Sequence, residues 1–259
     1  HRAGLEFLHH DVRLLDHLTL KFIQQGWSTK RLIREIVLSR VYGLSSQADA
    51  RNYTVDADNK WLSRWTPRRL EAEVLRDSIL AVGGELDESR PYGTPLAELG
   101  VRELTGKAAA VAQAQTRYRS VYLPYMRAQV PEMLVLFDAA NPSLTVGKRD
   151  VSAGPDQALY LLNSPFALNE AQHFARRVLR APAADDGGRI ELAFRTALGA
   201  PPSPEQKQRA WAFLQDLESV HRSEGKVDPE TNQAVDFRLA AWSTFSQVLL
   251  ALPEFRYLN

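Results

Sequence analysis

From Pro155 to Leu252 the apolar residues of this chain return every three or four positions, with breaks at Asn163-Ser164-Pro165, Asp185-Asp186-Gly187-Gly188 and Pro201-Pro202. That recurrence is the period of an α-helix, so this stretch can bury its apolar side chains only by packing helix on helix. Ser203-Pro204-Glu205 supplies an N-cap hydroxyl, a proline at the first helical position and an acid in the first turn, a strong start signal. The spacing predicts helices over 155–163, 165–180, 189–199, 203–221 and 233–252. The last carries Trp242, Phe245, Val248, Leu249 and Leu252 along one side.

The first half is less regular. Leu14, Leu15, Leu18 and Phe22 mark a helix from Asp11 to Gln25 that Gly26 stops. Ser28 then caps a second helix lined by Leu32, Ile33, Ile36 and Val37, and the short link makes the two an antiparallel hairpin. Gly43 to Asn59 is polar and reads as loop. Thr66-Pro67 predicts a helix start, with Leu70, Val74, Leu75 and Ile79 as its stripe and Gly83-Gly84 as its end. Residues 84–100 read as surface loop and Ala108 to Gln115 as helix. Tyr118 to Tyr125 is aromatic and β-branched and is predicted as a strand. Val130-Pro131-Glu132 opens a short helix, and Asn141 to Gly154 is a structured loop. The expected fold is mainly α, an irregular multi-helix bundle with at most a small β element near residues 118–125. It forms a single helical domain over 1–259, with a subdivision into 1–154 and 155–259 as the alternative.

Composition narrows the function classes. Of 259 residues 44% are hydrophobic and the net charge is +1, which suits a folded core and supplies no general field for nucleic acid. No apolar run approaches the roughly 18 residues of a membrane span. There is no cysteine, so disulfides, thiolate metal sites, thiol nucleophiles and covalent haem c attachment are ruled out for these residues. The chain opens at His1 without methionine or a signal-peptide pattern, and a processed or trimmed fragment is expected.

Chemistry-bearing motifs are sparse. His9-His10-Asp11 with His17 lacks the spacing of known zinc helices, and no metal site is expected. Asp56-Ala57-Asp58-Asn59-Lys60 begins like a calcium loop, but Lys60, Trp61 and Pro67 stand where a ligand, a glycine and a bidentate glutamate belong. It reads instead as a loop capping the Trp61/Trp65 segment. Phosphate loops, dinucleotide fingerprints and nucleophile elbows are absent. The richest region runs from Arg117 to Asp150. A strand there would place Arg119 beside Val121 and Leu123, and a buried guanidinium would need carboxylates such as Glu132, Asp138 or Asp150, or several carbonyls. Two readings stay open. One is an anion or sugar pocket with Arg119, Arg127 and Arg149 as donors, Tyr122 as a stacking platform, and Asp138 or Asp150 as catalytic acid or base. The other is an internal ion-pair network. Arg68-Arg69 and Arg176-Arg177 with Arg180 read as solvated helix faces. Trp27, Trp211 and Trp242 fit core stripes. Trp61 and Trp65 read either as core or as a sugar-stacking pair.

Gly26-Trp27-Ser28, Pro67-Arg68-Arg69-Leu70-Glu71-Ala72-Glu73, Arg119-Ser120-Val121-Tyr122-Leu123-Pro124, Phe137-Asp138, Gly147-Lys148-Arg149-Asp150-Val151 and Leu161-Leu162-Asn163-Ser164-Pro165-Phe166 follow one another along the chain, and Glu254-Phe255-Arg256-Tyr257 closes it. In order and spacing this series resembles the planctomycete-type C-terminal domain of unknown function, found in proteins that also carry planctomycete cytochrome c-like domains. It departs from that pattern where His10-Asp11-Val12-Arg13 replaces the usual His-Pro-Glu, and in lacking the upstream segment. The resemblance implies an exported parent, periplasmic or at the cell surface, with any haem c on a partner domain and no cofactor in this chain. It brings no catalytic residues. The function expected first is a non-catalytic interaction module that docks the cytochrome c-like domain, another subunit or a polysaccharide. The alternatives are an enzyme domain acting on polysaccharide or sulfated sugar, and a structural component of an envelope or filament assembly.

Overall fold

The computed structural model of the chain describes residues 12–47, 49–93, 116–124, 130–182, 185–224 and 236–258, and 61% of them are helical. The fold is mainly α. The chain divides into two compact units, residues 1–68 with 258–259, and residues 69–257.

Among the described residues of unit 1, the first elements are the hairpin expected from the apolar spacing, α1 (Val12–Gln24) and α2 (Thr29–Val37). Gly26 and Trp27 both take positive φ, 71° and 58°, and the Trp27 N–H reaches back to Phe22 O at 2.9 Å. This left-handed pair ends α1 and turns the chain. Ser28 caps α2, accepting from the Arg31 N–H. The polar stretch from Gly43 to Asn59 is not all loop, because it contains α3 (Ala50–Val55). The Asp49 carboxylate accepts the Arg51 N–H at 2.7 Å and starts this helix, which at six residues is too short to show an apolar period.

Unit 2 holds the main core. Among its described residues the helices are α4 (Ala72–Gly83), α5 (Glu132–Leu136), α6 (Pro155–Asn163), α7 (Pro165–Arg180), α8 (Asp186–Leu198), α9 (Pro204–Glu224), α10 (Phe237–Ala251) and α11 (Pro253–Arg256). α10 is central: it packs along α7 and also touches α6, α8, α9 and α11, while α4 crosses α7 on another side. Trp242 is fully buried there with its ring edge-on to Phe245, and Phe174, Ile190 and Leu249 surround the same core. The helix starts follow side-chain caps. Ser164 Oγ accepts the Ala167 N–H, and Asp185 accepts the Gly188 N–H, so α8 begins at Asp186 rather than 189. Ser203 and Gln206 exchange backbone-to-side-chain bonds of 2.8 and 3.1 Å, a capping box at the head of α9. No described helix is long and apolar enough to cross a membrane.

Four local expectations are corrected. The helix placed at Thr66-Pro67 starts only at Ala72, because β1 (Arg68–Arg69) is extended and paired with β2 (Tyr257–Leu258), and the Leu70 N–H donates to Arg256 O at 2.8 Å. The stripe of α4 is therefore Ala72, Leu75, Ile79 and Val82, with Val74 exposed. The strand expected from Tyr118 reduces to one bridge, Tyr118 to Asp87, followed by a 3-10 turn over Ser120–Tyr122. Asp77 Oδ1 accepts both the Ser120 N–H and its hydroxyl at 2.7 Å, bonds that compete with a strand ladder. Trp27 and Trp211 lie at the surface, 67% and 42% exposed, rather than in core stripes. Ala108 to Gln115, Tyr125 and residues 94–100 and 233–235 lie outside the described residues.

Candidate functional site

Three segments of unit 2, one of them more than sixty residues from the other two, meet at one cleft of about 300 Å³. Arg69, Leu70 and Glu71 come from the extended stretch before α4. Phe137 and Asp138 come from the corner after α5, and residues 148–151 from the loop before α6. Asp138 takes φ 64°. Aspartate tolerates this left-handed conformation better than most residues, and it turns the carboxylate back onto the loop. The Ser152 N–H donates to Asp138 Oδ2 at 2.8 Å and the Ser152 hydroxyl to Oδ1 at 2.8 Å. Arg69 NH1 donates to the same carboxylate at 3.1 Å and to Ser152 O. The guanidinium also lies over Phe137, 5.7 Å from the ring centroid, and its buried NH2 has no hydrogen-bond partner. Gln157 locks the corner from beneath, its Nε2 donating to Leu136 O at 2.8 Å and Ser152 Oγ at 3.0 Å. Burial would raise the Asp138 pKa, but the Ser152 hydrogen bonds and then the Arg69 charge outweigh it and hold the carboxyl below its usual range.

Arg149 makes a two-pronged pair with Glu73, at 2.6 and 3.0 Å, and lies 3.3 Å from Glu71. This geometry fixes both the charge and the plane of the guanidinium. Lys148 and Asp150 stand exposed on the rim. The cleft thus joins two arginines paired with Asp138 and Glu73 to one exposed cation, Lys148, and two exposed carboxylates, Glu71 and Asp150.

Of the residues singled out from sequence, Asp138, Asp150 and Arg149 are brought together here. Arg119 is exposed and Tyr122 half-buried on the Ser120 turn, and neither lines this cleft. Arg127 lies outside the described residues, and Glu132 opens α5. Sequence reasoning missed Arg69, whose side chain is only 10% exposed, although Arg69 and Glu71 have the two-residue spacing that shares a face in an extended segment. It also missed Arg177, whose NH1 donates to Ala81 O and Val82 O and satisfies the end of α4.

Arg119 would need carboxylates or carbonyls if its strand face were buried; it is exposed, and the buried guanidinium is that of Arg76. Arg76 is 3% exposed and donates to Thr116 O, to Tyr118 O at 3.1 Å and to Ser120 Oγ at 3.2 Å, with Asp77 at 3.6 Å. Burial pulls its pKa below the ordinary value, and Asp77 opposes that shift. Beside it the fully buried Glu170 accepts from Arg117 NH1 and from Asn169 Nδ2, while Glu170 Oε2 has no hydrogen-bond partner. The Asp56 carboxylate of the calcium-like segment is occupied by the N–H groups of Lys60 and Trp61. Among the described residues no group of three or more His, Asp or Glu side chains is placed to hold a metal ion, and His9, His10 and Asp11 lie outside them.

A family model described as PSD1, protein of unknown function (DUF1553), matches residues 9–214. No curated protein and no solved structure matches the chain.

Proposed function

The chain belongs to the PSD1 (DUF1553) family, whose function is unknown, and from that premise we propose that it is a non-catalytic interaction module of an exported, cytochrome c-associated multi-domain protein. One observation carries this reading. Neither α1 nor α2 has a buried residue, and Leu15, Ile23, Trp27, Ile33, Ile36 and Val37 are all exposed on the hairpin. An apolar surface of this extent, with Lys30, Arg31 and Arg34 on the same helix, is what a protein partner covers. The occupant proposed is the cytochrome c-like domain of the parent, and any haem c is proposed to sit on that domain, since covalent attachment needs cysteines and this sequence has none. The planctomycete origin and the periplasmic or cell-surface location rest on the motif series alone.

Titration of the parental cytochrome c-like domain into this chain by calorimetry tests the proposal. Binding is expected, weakened about tenfold or more by Ile33→Glu with Ile36→Glu, whose exposed side chains leave the circular dichroism unchanged. If the wild-type chain releases no heat with that domain, the reading fails. Mass growth with concentration in light scattering, abolished by the same pair, would instead favour the envelope or filament reading. A second reading, an enzyme domain acting on polysaccharide or sulfated sugar, is favoured by the meeting of Arg149, Asp138 and Asp150 in one cleft. It requires turnover that Asp150→Asn removes.

A further inference from the structure

Unit 1 contains a second cleft, built on a loop that satisfies its own polar groups. Asp56 and Asn59 are buried. Asp56 accepts two backbone N–H groups, and Asn59, at φ 52°, donates from Nδ2 to Arg64 O at 2.7 Å and Thr66 Oγ1 at 3.0 Å. Arg64 in turn donates to Asp56 O at 2.8 Å and Ala57 O at 2.6 Å, and its guanidinium lies 4.5 Å over the Tyr53 ring. Trp65 is braced edge-on by Tyr42, with centroids 5.2 Å apart, and its indole N–H donates to Leu258 O at 3.3 Å. This bonding holds the loop open around a cleft of about 500 Å³ that includes Tyr53, Trp65, Gln47, Asp58 and Thr66 in its lining.

The lining specifies a ligand class. Two aromatic side chains line it beside hydrogen-bonding groups; Tyr53 carries the Arg64 guanidinium over its ring and Trp65 has that of Arg68 5.8 Å from its ring centroid, so each offers only the surface its arginine leaves uncovered. Gln47 and Asp58 are exposed and planar, one carrying donors and acceptors and the other acceptors only. Arg64 donates to two carbonyls and lies over the Tyr53 ring, and Asp58 stands 3.6 Å from Lys60, so both charges already have partners within the loop and what the lining offers a ligand is hydroxyl-binding groups beside aromatic surface. We propose that this cleft binds a neutral oligosaccharide, one pyranose ring stacking on Trp65 while its hydroxyls bond to Asp58 and Gln47. The site is separate from the hairpin surface assigned to protein docking, so the two readings stand or fall independently.

Cellohexaose, chitohexaose and maltohexaose are the probes, titrated to about 5 mM with tryptophan fluorescence and calorimetry as readouts. At least one is expected to bind saturably. Trp65→Ala weakens that binding about tenfold, as loss of a stacking contact requires. Because Trp65 also braces the loop, Gln47→Ala and Asp58→Asn, both at exposed positions, provide variants that keep the fold, each expected to weaken binding several-fold. Trp211→Phe, in unit 2, leaves it unchanged. Binding by none of the three sugars overturns the proposal, as does binding that all three cleft variants retain. A decaproline peptide that binds where the sugars do not would assign the aromatic groove to a polyproline segment instead.

Discussion

Arg117 and Glu170 show what single charges do in this molecule. Glu170 is fully buried, and Arg117 is its charged hydrogen-bond partner. Removing one side of such a pair leaves the other charge desolvated. Arg117→Ala is therefore expected to cost about 3 kcal/mol in urea denaturation, and adding Glu170→Gln should recover part of it. An unchanged midpoint in the single variant would show that the pair contributes nothing. Asp138 makes a second test. Its pKa is depressed in the folded state, so its contribution is fully present above the unfolded carboxylate value of about 3.9 and is lost as the pH falls through the folded value. Asp138→Asn keeps a residue that tolerates positive φ and removes the charge together with one of the two acceptor oxygens. It should be less stable than wild type at pH 7, with the gap closing below about pH 4. A gap that stays constant between pH 7 and pH 3 would mean that the carboxylate charge is not what Ser152 and Arg69 hold.

At the scale of elements, the crossing of α4 and α7 depends on a glycine. A Cβ on Gly83 would stand 3.0 Å from Glu170 Oε2 and 3.5 Å from both Glu170 O and His173 Cβ. Gly83→Val should therefore force the two helices apart and cost about 2 kcal/mol or more, seen as a lowered Tm. Next to it, Gly84 ends α4 at φ 82°, where a side chain is strained. Gly84→Ala should cost about 1 kcal/mol while leaving the helical circular dichroism intact. Equal stability in the Gly84 variant would mean that the left-handed cap is not required. The capping signals were legible in the sequence, since Ser28, Ser164 and Ser203 all start helices. The start of α4 was not. Thr66-Pro67 is a valid local signal, but Leu70 bonds instead to Arg256, a partner 186 positions away in the numbering (256 − 70).

For the whole molecule, the five tryptophans separate surface from core. Trp242 is fully buried, whereas Trp27, Trp61 and Trp211 are exposed. Acrylamide should quench most of the native fluorescence and leave a shielded, blue-shifted fraction that Trp242→Phe removes. The buried Trp242 N–H has no hydrogen-bond partner, so that substitution also relieves an unsatisfied donor and should cost less than Trp242→Ala, which opens a cavity worth about 3–5 kcal/mol. A shielded fraction that survives Trp242→Phe would place another indole in the core.

By itself the sequence determined the helical class, the helices of the C-terminal half, the hairpin at residues 12–37 and the exclusion of cysteine chemistry. Each of these follows from local period, local caps or composition, which act within one or two turns of chain. Only the tertiary structure decided which charges meet. It buried Arg76 rather than Arg119, drew Arg69 from an expected solvated face into the cleft with Asp138, and left Trp27 in solvent. The worth of a charge or an indole depends on what stands within a few ångströms of it, and those neighbours come from segments whose separation along the chain carries no local signal.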